Sequence, residues 1–233
     1  VNGRDPVAGD RVVVRYHLTP SSPADWRDAP NPPLPHSPTL SDITGVLVSA
    51  DAAGLRIDRD GTIETVPNDA VVSLRTLSRR VVRNSQIRDL ERALCTAADA
   101  SERAEIDGWI VQASGATDAD VRARAAVPIE FTASAAAVSR IREWYSARDA
   151  ISYAILPDRL VRPGSIPYAD AGYAIEVLVA DTAEPGTLPD DLPEVAVGPG
   201  RWAVQVRADD DVSRTSARDA GYALHHTGRV VRL

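Results

Sequence analysis

The chain has 233 residues, 44% of them hydrophobic and 25% charged, with a formal net charge of −7. That composition is globular and the length suits one large domain or two small ones. No uncharged apolar run approaches the roughly 20 residues a membrane-spanning helix needs, and the single cysteine, Cys95, excludes an intramolecular disulfide and a cysteine-based zinc site.

Every basic residue is arginine, and methionine is absent. The missing initiator methionine reads as an alternative start or a processed end. Residues 1–6 carry no apolar signal core, so the expected compartment is the cytoplasm. Charge is uneven: residues 1–83 hold ten arginines and ten acids, residues 84–233 hold 16 arginines and 23 acids. The acidic second half argues against binding a phosphate backbone, so no nucleic-acid partner is expected.

In chain order, Asp10 to Leu18 alternates around Val12, Val14 and Tyr16, the period of a strand. A proline-rich loop follows through Pro30, Pro32, Pro33, Pro35 and Pro38. Residues 45–50, 54–59, 62–66 and 71–77 read as four short strands. The Asp60-Gly61 pair between two of them is a hairpin signal, because both central residues of such a turn need positive φ. Pro67-Asn68-Asp69-Ala70 fits a helical turn before the last strand. Five short strands, one long loop and one late turn outline a small SH3-like barrel over residues 7–83.

Residues 84–106 read as a connecting helix, with Ile87, Leu90, Leu94 and Ala97 on one face and Asn84 or Ser85 as cap. Residues 107–233 read as α+β. Strands are expected at 108–114, 125–131 and 151–156, with a helix over 134–148. A further strand alternates through Tyr173, Ile175, Val177 and Val179. A Pro/Gly linker follows over 183–200, then a strand around Trp202–Val206, a helix at 212–220 and a strand at 222–233. An internal echo joins Tyr168–Ile175 to Ala217–Leu224, with a weaker copy at Ala147–Tyr153. In the first two, Gly172 and Gly221 are expected at the left-handed position that ends a helix.

Together, several segments in this order resemble a known family. They are Gly9–Tyr16, Asp42–Leu47, Val66–Val71, Glu105–Val111, Ile141–Tyr145 and Val206–Tyr222. They resemble actinobacterial GNAT-superfamily N-acetyltransferases that carry an SH3-like barrel, among them N-acetylglutamate synthase-like members. The resemblance implies an α+β fold, an N-terminal SH3-like β-barrel followed by a partial GNAT-like mixed sheet with helices. It also implies descent from an acetyl-CoA-dependent acyltransferase.

The family binds the cofactor pyrophosphate with a Gln/Arg-x-x-Gly-x-Gly/Ala loop that opens a helix, so that free amides meet phosphate oxygens. The candidate is Val195–Gly200, with Gly198 and Gly200 as the cofactor-binding residues. Val195 replaces the basic or amide residue, Pro199 removes an amide, and a strand pattern follows. At the C-terminal helix the resemblance places Asp210 at a family asparagine, Ser216 at a leucine, Tyr222 at a phenylalanine and Ala217 at the tyrosine that serves as general acid. Alanine cannot donate a proton.

Other polar clusters read blandly. His225 and His226 are adjacent on a strand, so they should face opposite ways and not share an ion. Asp209-Asp210-Asp211 reads as a helix cap. Arg75, Arg79, Arg80, Arg83 and Arg88 read as solvated or internally paired. Cys95 reads as a buried thiol.

The resulting expectation is a two-domain relative of acetyltransferases that lacks standard catalysis and acts as a binding or regulatory module, with a protein partner or a second copy as its counterpart. The alternatives are an active N-acetyltransferase with a rearranged or partner-completed acetyl-CoA site, and an SH3-like scaffold. Acetyl-CoA is the cofactor only if the chain is active.

Overall fold

The computed structural model describes residues 6–20, 22–23, 40–77, 82–115, 120–161, 163–182, 184, 186–190 and 192–233. The proline-rich stretch 30–38 and Arg79 and Arg80 lie outside them. The fold is α+β, with two sheets and three α-helices among the described residues.

The first sheet is antiparallel, with strands β1 (Arg11–His17), β2 (Leu40–Asp51), β3 (Gly54–Arg59), β4 (Thr62–Val66) and β5 (Val71–Leu77) in the order β4-β3-β2-β1-β5. Alternation does what it predicts: Val12, Val14 and Tyr16 are buried against Ile43, Leu47, Ile57 and Val66. Asp60 and Gly61 both have positive φ, 54° and 89°, as the β3–β4 hairpin requires. A single 3₁₀ turn, Asn68–Ala70, precedes β5 where the Pro-Asn-Asp-Ala signal placed it.

Helix α1 spans Asn84–Ala97 and turns Ile87, Leu90 and Leu94 inward. It is shorter than the sequence indicates. Residues 102–106 form strand β6 (Glu102–Ile106), paired with β7 (Trp109–Ala113) across a tight turn at Asp107-Gly108. Both turn residues have positive φ, 46° and 85°, so this is a second Asp-Gly hairpin of the kind at Asp60-Gly61. The helical spacing ran on through Ala98–Ser101, but backbone pairing to β7 decided the conformation of the residues after it.

The second sheet adds β8 (Ala125–Pro128), β9 (Tyr153–Pro157), β10 (Asp170–Asp181), β11 (Val195–Gly198), β12 (Arg201–Arg207) and β13 (Ala223–Arg232), ordered β11-β12-β10-β13-β9-β8-β7-β6. Helix α2 (Val138–Ser146) carries the chain from β8 to the parallel strand β9, the long connection that a parallel pair demands. Helix α3 (Asp211–Asp219) links β12 to β13. α2 packs Val138, Ile141 and Tyr145 on one face over Trp109, Ala126, Leu156 and Val231. On the other face, Leu90 and Leu94 of α1 meet Val177 and Ala203.

Two local readings change. Part of the 183–200 segment is strand β11, hydrogen-bonded to β12. Gly172 does not end a helix: it sits inside β10 with φ +56°, at an irregularity in the pairing with β13 between Asp170 and Tyr173. Gly221 has φ +90° and follows α3 as expected.

Candidate functional site

Gly198 and Gly200 lie at the β11–β12 hairpin. Gly198 pairs with Arg201, and Pro199 and Gly200 form the turn, Gly200 with φ +60°. Proline first and a positive-φ glycine second is the chemistry of a type II turn. The amides therefore lead into a strand, and no helix N-terminus stands behind them.

The next helix, α3, opens on acids. Asp210 is its N-cap, accepting from the Ser213 amide at 3.0 Å and from Ser213 Oγ at 2.6 Å. Those bonds hold the Asp210 carboxyl below its usual range. Asp211 pairs with Arg214 at 2.8 Å and Asp209 with Arg207 at 2.8 Å. The cap reading of the three aspartates holds, and the same carboxylates put negative charge where a phosphate would need positive potential.

Ala217 is fully buried on the inner face of α3, among Leu178, Val204 and Tyr222. The Tyr222 hydroxyl donates to a Glu194 carboxylate oxygen, and burial together with that carboxylate raises its pKa. Position 217 thus faces the core, and the phenol nearest to it is tied to an acceptor.

The strongest polar constellation is one that the sequence argued against. His225 and His226 are both buried, 6% and 7% exposed, and their Nδ1 atoms lie 2.9 Å apart. Strand alternation should have separated them. The reason it does not is a bulge: Val177 pairs with His226 and Leu178 with Leu224, so His225 is the extra, unpaired residue of β13. His226 Nε2 is 2.8 Å from Glu91 Oε1 on α1. Arg122 Nη1 donates to Glu91 Oε2 at 2.6 Å, and Arg122 Nη2 to Gln205 Oε1 at 2.6 Å. Gln112 Nε2 donates to the Arg122 carbonyl at 2.7 Å.

The electrostatics of this cluster follow from its burial. Desolvation pushes the Glu91 pKa up, but the Arg122 charge and the His226 hydrogen bond win and hold it well below the carboxylate range. Burial, then His226 and Arg201, push His225 down to about 3, so its ring is neutral near pH 7. Cys95, fully buried nearby, is raised to about 11, chiefly by burial, as an inert thiol would be. Among the described residues no group of three His, Cys, Asp or Glu side chains is placed to hold a metal ion.

His225 lines a cleft of about 370 Å³ with Val82, Gln86, Asp181, Thr182 and Arg201. At the other end of the cluster, Arg122 and Gln205 line a second cleft of about 350 Å³. Single-sequence reasoning could not have joined Glu91 to His226, 135 positions apart; a bulge at a His-His pair leaves no local signature.

No helix among the described residues is long and apolar enough to cross a membrane. Residues 84–231 match the family model described as the C-terminal region of the probable histone acetyltransferase Rv0428c. A relative, the probable histone acetyltransferase Rv0428c of Mycobacterium tuberculosis, is 34% identical over 183 residues, covering 77% of this chain and 54% of its own length. The chain therefore spans about half the length of the curated relative it matches. No solved structure matches it significantly.

Proposed function

The chain belongs to the family of the Rv0428c C-terminal region, and on that premise we propose that it is an acetyltransferase relative acting as a binding or regulatory module, not as a catalyst by the standard acetyl-CoA route. The observation that carries this reading is the pairing of two features. The only Gly-x-Gly that could cradle a pyrophosphate closes a β-hairpin, and the helix beyond β12 opens on Asp209, Asp210 and Asp211. Backbone amides, a helix dipole and positive potential act together on a phosphate, and here the Asp210 carboxylate already occupies an amide at the helix start. Ala217, facing the core, supports the same reading for the proton donor. The counterpart of such a module would be a protein or a second copy of the chain. The five-stranded sheet would serve as an SH3-like scaffold in that role.

The rival reading is an active N-acetyltransferase whose acetyl-CoA site is rearranged or completed by a partner. Its support is the 34% identity to a protein named as an acetyltransferase. Titrating acetyl-CoA against the melting temperature separates them, because a ligand of the native state raises it. No shift up to millimolar acetyl-CoA is expected; a rise of several degrees at micromolar concentration overturns the proposal.

A further inference from the structure

The Glu91–His226–His225 line ends on a cleft that the His225 ring lines. Ionised Glu91 only accepts, so His226 Nε2 carries the proton between them. With the proton of the 2.9 Å contact on Nδ1 of His225, that nitrogen donates to Nδ1 of His226. That leaves Nε2 of His225 as an acceptor on a ring that lines the cleft. Arg122 holds Glu91 from behind and is itself held by Gln205.

The cleft wall supplies the complementary groups. Arg201 lines it, 37% exposed at its side chain, with its Nε 3.2 Å from Asp181 at the rim. Gln86 and Thr182 add neutral polar atoms, and Val82 an apolar side. The volume falls at the low end of the roughly 300–1,000 Å³ of small-molecule sites.

We propose that this cleft binds a small organic anion bearing a hydroxyl group, its carboxylate against Arg201 and its hydroxyl donating to Nε2 of His225. The relay also gives the site acid–base capacity. A proton taken up at Nε2 of His225 releases the Nδ1 proton to Nδ1 of His226, and the resulting imidazolium lies beside the Glu91 carboxylate. The line gains one positive charge, held on His226 beside the Glu91 carboxylate, and His225 itself ends neutral with its proton on Nε2. The proposal stands whether or not the chain acetylates anything.

The test uses the whole chain, ¹⁵N-labelled at histidine, observed by NMR at pH 7. His225→Asn assigns the His225 signals by their loss, and the melting temperature of each variant verifies folding. His225 is expected as the Nδ1–H form with an unprotonated Nε2. L-Lactate is expected to shift that Nε2 resonance saturably, and Arg201→Gln to weaken lactate at least tenfold without changing the tautomer. Inorganic phosphate, an anion without the carbon-bound hydroxyl, is expected to bind at least tenfold more weakly than lactate. An Nε2–H tautomer in the free protein, no saturable shift by 50 mM lactate, or equal responses to lactate and phosphate would each overturn the proposal.

Discussion

Arg218 of α3 donates from Nε to Asp10 Oδ1 at 2.6 Å, although 208 positions separate the two residues. Asp10 lies just before β1, and its carbonyl accepts from the Leu47 amide at 2.8 Å, so the contact ties the first sheet to the helix of the second. Glu176 of β10 and Arg214 complete a four-membered cluster, each member 4% exposed or less at the side chain. Removing Asp10 leaves Arg218 and Arg214 on Glu176 in a dry site, with Arg214 also reaching the exposed Asp211. Asp10→Ala should therefore destabilise the chain by about 3–5 kcal/mol in urea denaturation. Arg15→Ala, which breaks an exposed pair with Asp42, should leave the midpoint unchanged within error.

Stability should fall as the medium is acidified from pH 7. The His225 pKa is lowered from 6.5 to about 3 on folding. Between those values the unfolded chain binds a proton there and the folded chain does not, so stability drops as pH falls through that window. The slope is about 1.4 kcal/mol per pH unit for one full proton. Glu91, lowered in the fold, adds the same sign below its ordinary 4.5. Melting curves from pH 7 to 4 check this, and His225→Asn should flatten the upper part of the decline.

Ala217→Tyr should not create acetyltransferase activity. The position is fully buried against Leu178, Val204 and Tyr222, so a phenol there overpacks the core. The expected outcome is a loss of about 1–3 kcal/mol or more, read from thermal melts, with no transfer of labelled acetyl from acetyl-CoA.

Two glycines with positive φ should respond differently to alanine. At Gly172 a Cβ would sit 1.8 Å from the Val230 carbonyl oxygen, so Gly172→Ala forces β10 away from β13. At Gly221 a Cβ meets nothing within 4 Å, and only the backbone preference is lost. Gly221→Ala should cost about 1 kcal/mol, and Gly172→Ala at least twice that, by chemical denaturation.

Much of the first sheet was legible because its signals are local. Val12, Val14 and Tyr16 alternate, and Asp60-Gly61 marks a turn that needs positive φ at both positions. Asp107-Gly108 carries the same signal, but a helical pattern extended through residue 106 masked it. The β11 strand was hidden by prolines that ordinarily mark a linker. Gly172 and Gly221 share a local sequence, yet one makes a bulge and the other follows a helix, because only the first lies against Val230 of a neighbouring strand.

Taken alone, the amino-acid order determined the α+β character, the strand faces of the first sheet, the Asp210 cap, the valine in place of a basic residue at position 195 and the strand pattern after Gly200. These depend on neighbours a few positions apart, where side-chain periodicity and turn chemistry act. The tertiary structure decided that His225 and His226 meet, that Glu91 and Arg122 lie beside them, and that Asp10 binds Arg218. Each of those rests on a register shift or a contact across more than 30 positions. Burial then gives the groups charge relations that no local pattern encodes.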